Sequence, residues 1–153
     1  MDKDLNKIHA SMRQLFGLVH RLEDEAVKAS EFSDLSRAEI SAIMAIGTGR
    51  PKTMTHVANI LEINVSTLTT TINKLVKKGY VERLRDDKDR RIVKIGLSEK
   101  GVAAATERDS FMGELLRGAV EQVEPDKLRY FISAIDNINQ YFMAKSSMSY
   151  LKT

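Results

Sequence analysis

Between Ile63 and Val81 the chain has no acidic residue, and within that stretch it sets Ser66, Thr67, Thr69, Thr70, Asn73, Lys74 and Lys77 at helical spacing. At about 100° per residue, Ser66, Thr70, Asn73 and Lys77 share one side of a helix. Thr67 and Lys74 flank that side, and Thr69 and Thr71 lie on its borders. Hydroxyls, a carboxamide and ammonium groups presented together are donors for phosphate oxygens and base edges, and threonine methyls meet thymine methyls. Threonine costs a helix roughly several tenths of a kcal/mol relative to alanine, so three in a row need a reason, and contact chemistry supplies one. Thr55 upstream joins the set. Downstream, Arg90 and Arg91 close a charged run whose Asp86, Asp87 and Asp89 hold the guanidinium groups by ion pairing.

Those side chains need elements to carry them. Residues 53–61 form a short helical phrase, Glu62-Ile63-Asn64 breaks it, and a second helix follows to Lys78 and stops at Gly79. Val65, Leu68, Ile72, Leu75 and Val76 form the buried stripe of that second helix, and Ser66 serves as its N-cap. A short strand, the charged loop and a second strand alternating Val93, Ile95 and Leu97 with Lys94 and Gly96 complete the unit. Helix, turn, helix and basic hairpin is the layout of a winged helix-turn-helix, whose second helix enters a major groove. One wing arginine then reaches a minor groove, where arginine favours narrow A·T-rich sequence.

The flanks are helical. Leu5, Ile8, Met12, Leu15, Val19, Leu22 and Ala26 recur at alternating steps of three and four, predicting a heptad-striped helix from about Leu5 to Ala29. After a linker from Ser30 to Leu35, Ser36-Arg37-Ala38-Glu39 has capping-box form and opens a helix with Ile40, Ile43 and Met44 on its buried side, ending near Gly47. Ser98 opens a long helix with Val102, Phe111, Leu115, Ala119, Val120 and Val123 on its apolar side, and Glu124-Pro125-Asp126 breaks it. Leu128, Phe131, Ile135, Ile138 and Phe142 stripe a final helix. The expected fold is mainly α with a small β-hairpin. Residues 35–97 are its winged helix-turn-helix domain, residues 1–34 and 98–146 a helical dimerisation region, and residues 147–153 a frayed polar tail. Two such stripes exceed what one small domain buries, which predicts a homodimer.

Composition narrows the function. The segment from Arg50 to Lys100 holds twelve basic and six acidic residues, a net +6 within a chain of net +3, so positive charge is concentrated where a polyanion would bind. The chain of 153 residues has no cysteine, which removes disulfides, thiolate zinc sites and thiol redox sensing. No apolar run approaches the roughly 20 residues of a membrane span, and the N-terminus is too polar for a signal peptide, so a cytoplasmic protein without a membrane partner is expected.

The run from Glu82 to Arg91, with Leu97-Ser98-Glu99-Lys100-Gly101 after it and Leu75, Gly79, Tyr80 and Val81 before it, resembles the multiple antibiotic resistance regulator (MarR) family. Its pattern there is an Asp-x-x-Asp-Arg-Arg wing and a Leu-Thr-x-x-Gly helix start, with Ser98 here in the threonine's place. The resemblance implies a homodimer on a palindromic duplex operator, with repression relieved by a small hydrophobic or aromatic effector. It also implies a ligand crevice, on this sequence at Met12, Phe16, Val19, Met44, Phe111 and Met112. Phe32 to Ser36, Ala45 to Gly47 and the threonine-rich helix are further similar to the branch that represses fatty-acid-synthesis genes.

Two other functions compete. An enzyme would have to work with His9, His20 and His56 and no cysteine; the first two are about 16 Å apart along a helix, and no nucleophile arrangement or glycine-rich phosphate cradle is present. No cofactor is expected. A metal-responsive regulator would use His20 with Glu23 or Asp24, whereas a histidine on a polar helix flank is ordinarily solvated. A winged domain used only for protein contact would not require an acid-free, hydroxyl-rich helix or paired wing arginines.

Overall fold

The computed structural model describes residues 2–85 and 92–150, with side chains to Lys145. Its elements in chain order are α1 (Asp2–Ala29), α2 (Arg37–Ile46), β1 (Lys52–Thr53), α3 (Met54–Ile60), α4 (Val65–Lys77), β2 (Val81–Arg85), β3 (Val93–Leu97), α5 (Glu99–Val120) and α6 (Pro125–Tyr150). A mostly helical chain with a small antiparallel sheet matches the expected class. Packing divides it into two compact units, Met1–Asp109 and Ser110–Thr153.

In the first unit the core is built where α2, α3, α4 and the sheet converge. Ala42, Ile43, Ile46, Val57, Leu68, Ile72, Leu75, Tyr80 and Ile95 are buried there. Each large apolar side chain fully removed from water contributes about 1.5–3 kcal/mol, so Leu68, Ile72 and Leu75 hold α4 in one rotation. Val65 and Val76, expected in the same stripe, stay 42% and 36% exposed because they sit at the edges of that face.

Two elements depart from the sequence expectation. β1 is a third strand, pairing Lys52 with Ile95 and Thr53 with Lys94, and the sheet order is β1-β3-β2. Ser30 to Leu35 is more than a linker: Phe32 and Leu35 are buried, and the Phe32 ring meets Tyr80 edge-on at 6.2 Å. β3 does not alternate simply either. Gly96 is buried because Leu84 and Pro51 cover it, whereas Val93 is exposed at the end of the strand toward the wing.

Helix ends follow local chemistry. Ser36 and Glu39 form the reciprocal capping box, and Gly47 closes α2 with φ +68°. α1 starts at Asp2, earlier than Leu5, with Asp2 and Asp4 set favourably in its positive first turn. At the start of α5, the Gly101 N–H donates to Ser98 Oγ as expected. The buried face of α5 is Gly101, Ala104 and Ala105, while Val102 is 37% exposed, contrary to the apolar pattern. The reason is proximity: a Cβ on Gly101 would lie 2.0 Å from the Tyr80 carbonyl oxygen, so only small residues fit that face.

The second unit contains the end of α5, a turn and α6. Pro125 takes the first helical position, where its missing N–H costs nothing, and α6 continues to Tyr150, beyond Ser146 where the helix was expected to fray. The residues 151–153 of the expected tail lie outside the described set.

Candidate nucleic-acid interface

α4 is held at both ends. Glu62, with φ +53°, turns the chain out of α3, and Asn64 takes an extended conformation whose carbonyl accepts from the Leu68 N–H. Asn64 is therefore the N-cap, and Ser66 lies inside the first turn instead of capping it. The Asn64 side chain makes no cap hydrogen bond, so it does not occupy the first N–H groups of α4, the groups a phosphate at a helix N-terminus would accept from. At the other end the Tyr80 N–H donates to Leu75 O and the Gly79 N–H to Val76 O, a Schellman closure that needs Gly79 at φ +80°.

A polar clamp fixes that end to α2. Lys78 Nζ donates to Glu39 Oε2 at 2.9 Å and to the Asp34 carbonyl at 2.5 Å, and Tyr80 OH donates to Asp34 Oδ1 at 2.6 Å. Glu39 is buried, which alone would raise its pKa; the Lys78 ammonium and the Ser36 hydrogen bonds outweigh burial and hold it below the usual carboxylate value. Burial and the Asp34 carboxylate push the Tyr80 phenol well above its usual range. Ser98 Oγ donates to Gly79 O at 2.6 Å, and the Lys100 ammonium lies 4.0 Å above the Tyr80 ring. Lys52 Nζ bonds the Ile46 carbonyl. Thus Lys52, Lys78 and Lys100, three of the segment's cations, point back into the fold.

The remaining face of α4 carries the expected set. Ser66, Thr67, Thr70, Asn73, Lys74 and Lys77 are exposed, Thr69 is half-buried at the border, and Thr55 is exposed on α3. The threonines also bond within the helix: Thr69 Oγ1 donates to Val65 O at 2.7 Å, Thr70 Oγ1 to Ser66 O at 3.4 Å and Thr71 Oγ1 to Thr67 O at 3.5 Å. Such back-bonding fixes the side-chain rotamer, and the two long contacts are weak enough to exchange for an outside acceptor. Asn73 Oδ1 accepts from Arg83 Nη2 of β2 at 2.5 Å, a link that sequence spacing did not reveal.

The wing residues Arg90, Arg91, Asp86, Asp87 and Asp89 lie outside the described residues. Of the crevice set, Met12, Val19, Met44, Phe111 and Met112 are half-buried and Phe16 is 55% exposed. A cavity of about 260 Å³ in the first unit is lined by other residues: His20, Glu23, Asp24, Val27, Arg37, Ile40, Ser41 and Arg108. There Glu23 pairs with Arg108, and Asp24 with Arg37 at 2.6 Å, so both carboxylates considered as metal ligands beside His20 face guanidinium groups. Among the described residues no helix is long and apolar enough to cross a membrane.

This geometry can be set against known proteins. The MarR family model matches residues 33–92, from the loop before α2 to the edge of β3. Over those residues the chain is similar to the MarR family. YpoP, an uncharacterized HTH-type transcriptional regulator of Bacillus subtilis, is 37% identical over 68 residues, 44% of this chain and 48% of that one. SarZ, an HTH-type transcriptional regulator of Staphylococcus haemolyticus, is 31% identical over 93 residues, 58% of this chain and 63% of that one. The chain thus spans less than two thirds of the length of those relatives, which are named as transcriptional regulators. The Streptococcus pneumoniae FabT structure, solved in complex with DNA, is 26% identical with a TM-score of 0.86, covering 91% of this chain and 97% of that one. A MarR family protein of Bacillus stearothermophilus shares the fold at 17% identity, with a TM-score of 0.79 over 94% of this chain and 98% of that one.

Proposed function

We propose that this chain is a sequence-specific, dimeric DNA-binding transcriptional regulator, a cytoplasmic repressor released from its operator by a small apolar or aromatic ligand. The observation that carries the proposal is the outward face of α4: a donor-rich, acid-free surface on a helix locked by a buried stripe, a Schellman turn and a polar clamp. A surface so fixed can match a groove without losing much conformational entropy on binding. The FabT structure with DNA has the same fold over most of both chains, which supports placing α4 in a major groove.

Dimerisation is supported by the two terminal helices. α1 buries no residue within its chain, and Leu5, Ile8, Leu15 and Phe16 are each more than half exposed. α6 likewise leaves Phe131, Ile132, Tyr141 and Phe142 at least half exposed. Apolar surface on this scale is the mark of an interface between copies. On this proposal residues 1–34 and 98–146 join two subunits and residues 35–97 read DNA, with Arg90 and Arg91 in the minor groove, positioned by Asp86, Asp87 and Asp89. Two α4 helices then enter successive major grooves about 34 Å apart on a palindromic operator. A ligand in the crevice that the family resemblance implies lowers affinity by favouring another subunit separation. The similarity of Phe32 to Ser36, Ala45 to Gly47 and the threonine-rich α4 to the branch that represses fatty-acid-synthesis genes supports lipid-metabolism genes as the regulated set.

Selection from a random duplex library tests the proposal. Recovery of an inverted repeat bound by two chains is expected. Failure to enrich any motif at low salt contradicts it.

A further inference from the structure

We infer that Arg83 of β2 is a specificity-determining positioning residue that makes Asn73 select guanine over adenine. The inference rests on α4 reading a major groove, and it concerns what one position of that helix can read. Asn73 lies on the exposed side of α4 with Ser66, Thr70 and Lys77, and its Oδ1 accepts from Arg83 Nη2 at 2.5 Å. A guanidinium has only donors, so it must face the carbonyl end of the carboxamide, which leaves the amide orientation no choice. A charge-assisted contact of this kind is short and directional. The Asn73 Nδ2 hydrogens are then the end left to meet a ligand.

That orientation changes what Asn73 recognises. An unconstrained asparagine suits adenine, accepting from its N6 amine while donating to N7. With Oδ1 turned onto Arg83, the pair offers donors: the Nδ2 hydrogens and the other guanidinium hydrogens. Guanine alone presents two neighbouring acceptors, N7 and O6, in the major groove. Adenine would set its N6 amine against a donor, which costs the contact and leaves a desolvated group unpaired.

The backbone makes the arrangement rigid. Ile72, just before Asn73, and Leu75, two residues after it, are fully buried, so α4 cannot rotate. Only Lys78, Gly79 and Tyr80 separate α4 from β2, and the Tyr80 N–H to Leu75 O bond closes that turn. Arg83 itself is held in the ladder opposite Ile95, which is also fully buried. Asn73 and Arg83 are both exposed, so their bond contributes little to stability, and removing it leaves a folded chain.

The experiment uses the full chain and fluorescence anisotropy on the duplex selected from the random library, with every single-base change across one half-site. The wild type is expected to prefer guanine over adenine at one position by roughly tenfold. Arg83→Ala abolishes or reverses that preference at this position alone, with preferences elsewhere and far-ultraviolet circular dichroism unchanged. Arg83→Lys, which keeps a donor opposite Oδ1, retains part of it. A uniform loss of affinity on all duplexes in Arg83→Ala, or an unaltered guanine preference, overturns the inference while leaving duplex reading intact. A wild-type chain that binds no duplex overturns both.

Discussion

Replacing Lys78 with methionine isolates the clamp that sets the far end of α4. Glu39 is 3% exposed, its Oε2 is bonded by Lys78 and Ser36, and its Oε1 is buried without a hydrogen-bond partner among the described residues. Removing one member of a buried pair costs about 3–5 kcal/mol when the survivor stays charged. Two features temper that figure here. Lys78 is 30% exposed, so water already reaches the pair, and the Ser36 N–H remains on the carboxylate. The survivor can also escape by protonation, which at pH 7 costs an ordinary glutamate about 3.7 kcal/mol. The expected loss is therefore about 2–4 kcal/mol at pH 7, read as the shift in urea unfolding at one protomer concentration.

The pH dependence distinguishes the cause. In the wild type the Glu39 pKa is lowered, so its contribution is present above the unfolded value near 4.3 and is lost as pH falls through the folded value. In Lys78→Met, burial is no longer opposed by a cation and the folded pKa rises above the unfolded one. The folded state then holds the extra proton, and the deficit relative to wild type shrinks as pH falls from 7.5 toward 5. Glu39→Gln combined with Lys78→Met keeps a carbonyl for the Ser36 N–H and removes the charge, so it recovers most of the loss. A loss under 0.5 kcal/mol with the wild-type pH profile would refute the reasoning.

Three further substitutions probe other parts of the fold. Gly101→Ala forces a Cβ toward the Tyr80 carbonyl and should cost about 1–3 kcal/mol in urea unfolding; an unchanged midpoint would mean the backbone yields freely there. Thr70→Ala should raise the stability of the free protein by roughly 0.5 kcal/mol through helix propensity while altering base preference at one position per half-site. Phe131→Glu places a charge on an exposed apolar face of α6 and should shift sedimentation from dimer toward monomer; a dimer unaffected by it would put the interface elsewhere.

Much of this architecture could be read from local chemistry. Ser36 with Glu39, Gly79 and Pro125 mark helix ends because capping, positive φ and a missing N–H act within a few residues. The stripe Leu68, Ile72 and Leu75 set the rotation of α4 and so exposed the donor face in advance. What escaped depends on partners distant in sequence. β1 is two residues long and exists because β3 pairs with it about forty residues later. Val102 faces out because Gly101 must sit against Tyr80, a demand for smallness that hydrophobic periodicity does not register. Lys77 and Lys78 are identical in type, yet one is exposed and the other faces Glu39. Ser66 was expected as a cap from its residue type, whereas the turn at Glu62 sets the helix start at Val65.

The most direct measurement is the salt dependence of affinity for the selected duplex. On the proposed function a donor face and basic hairpin from each of two subunits neutralise several phosphates, so log K should fall linearly with log salt at a slope near −0.9 per phosphate. A steep negative slope, with affinity lost roughly a thousandfold between 50 and 200 mM, is predicted. Affinity independent of salt across that range would contradict a phosphate-contacting α4.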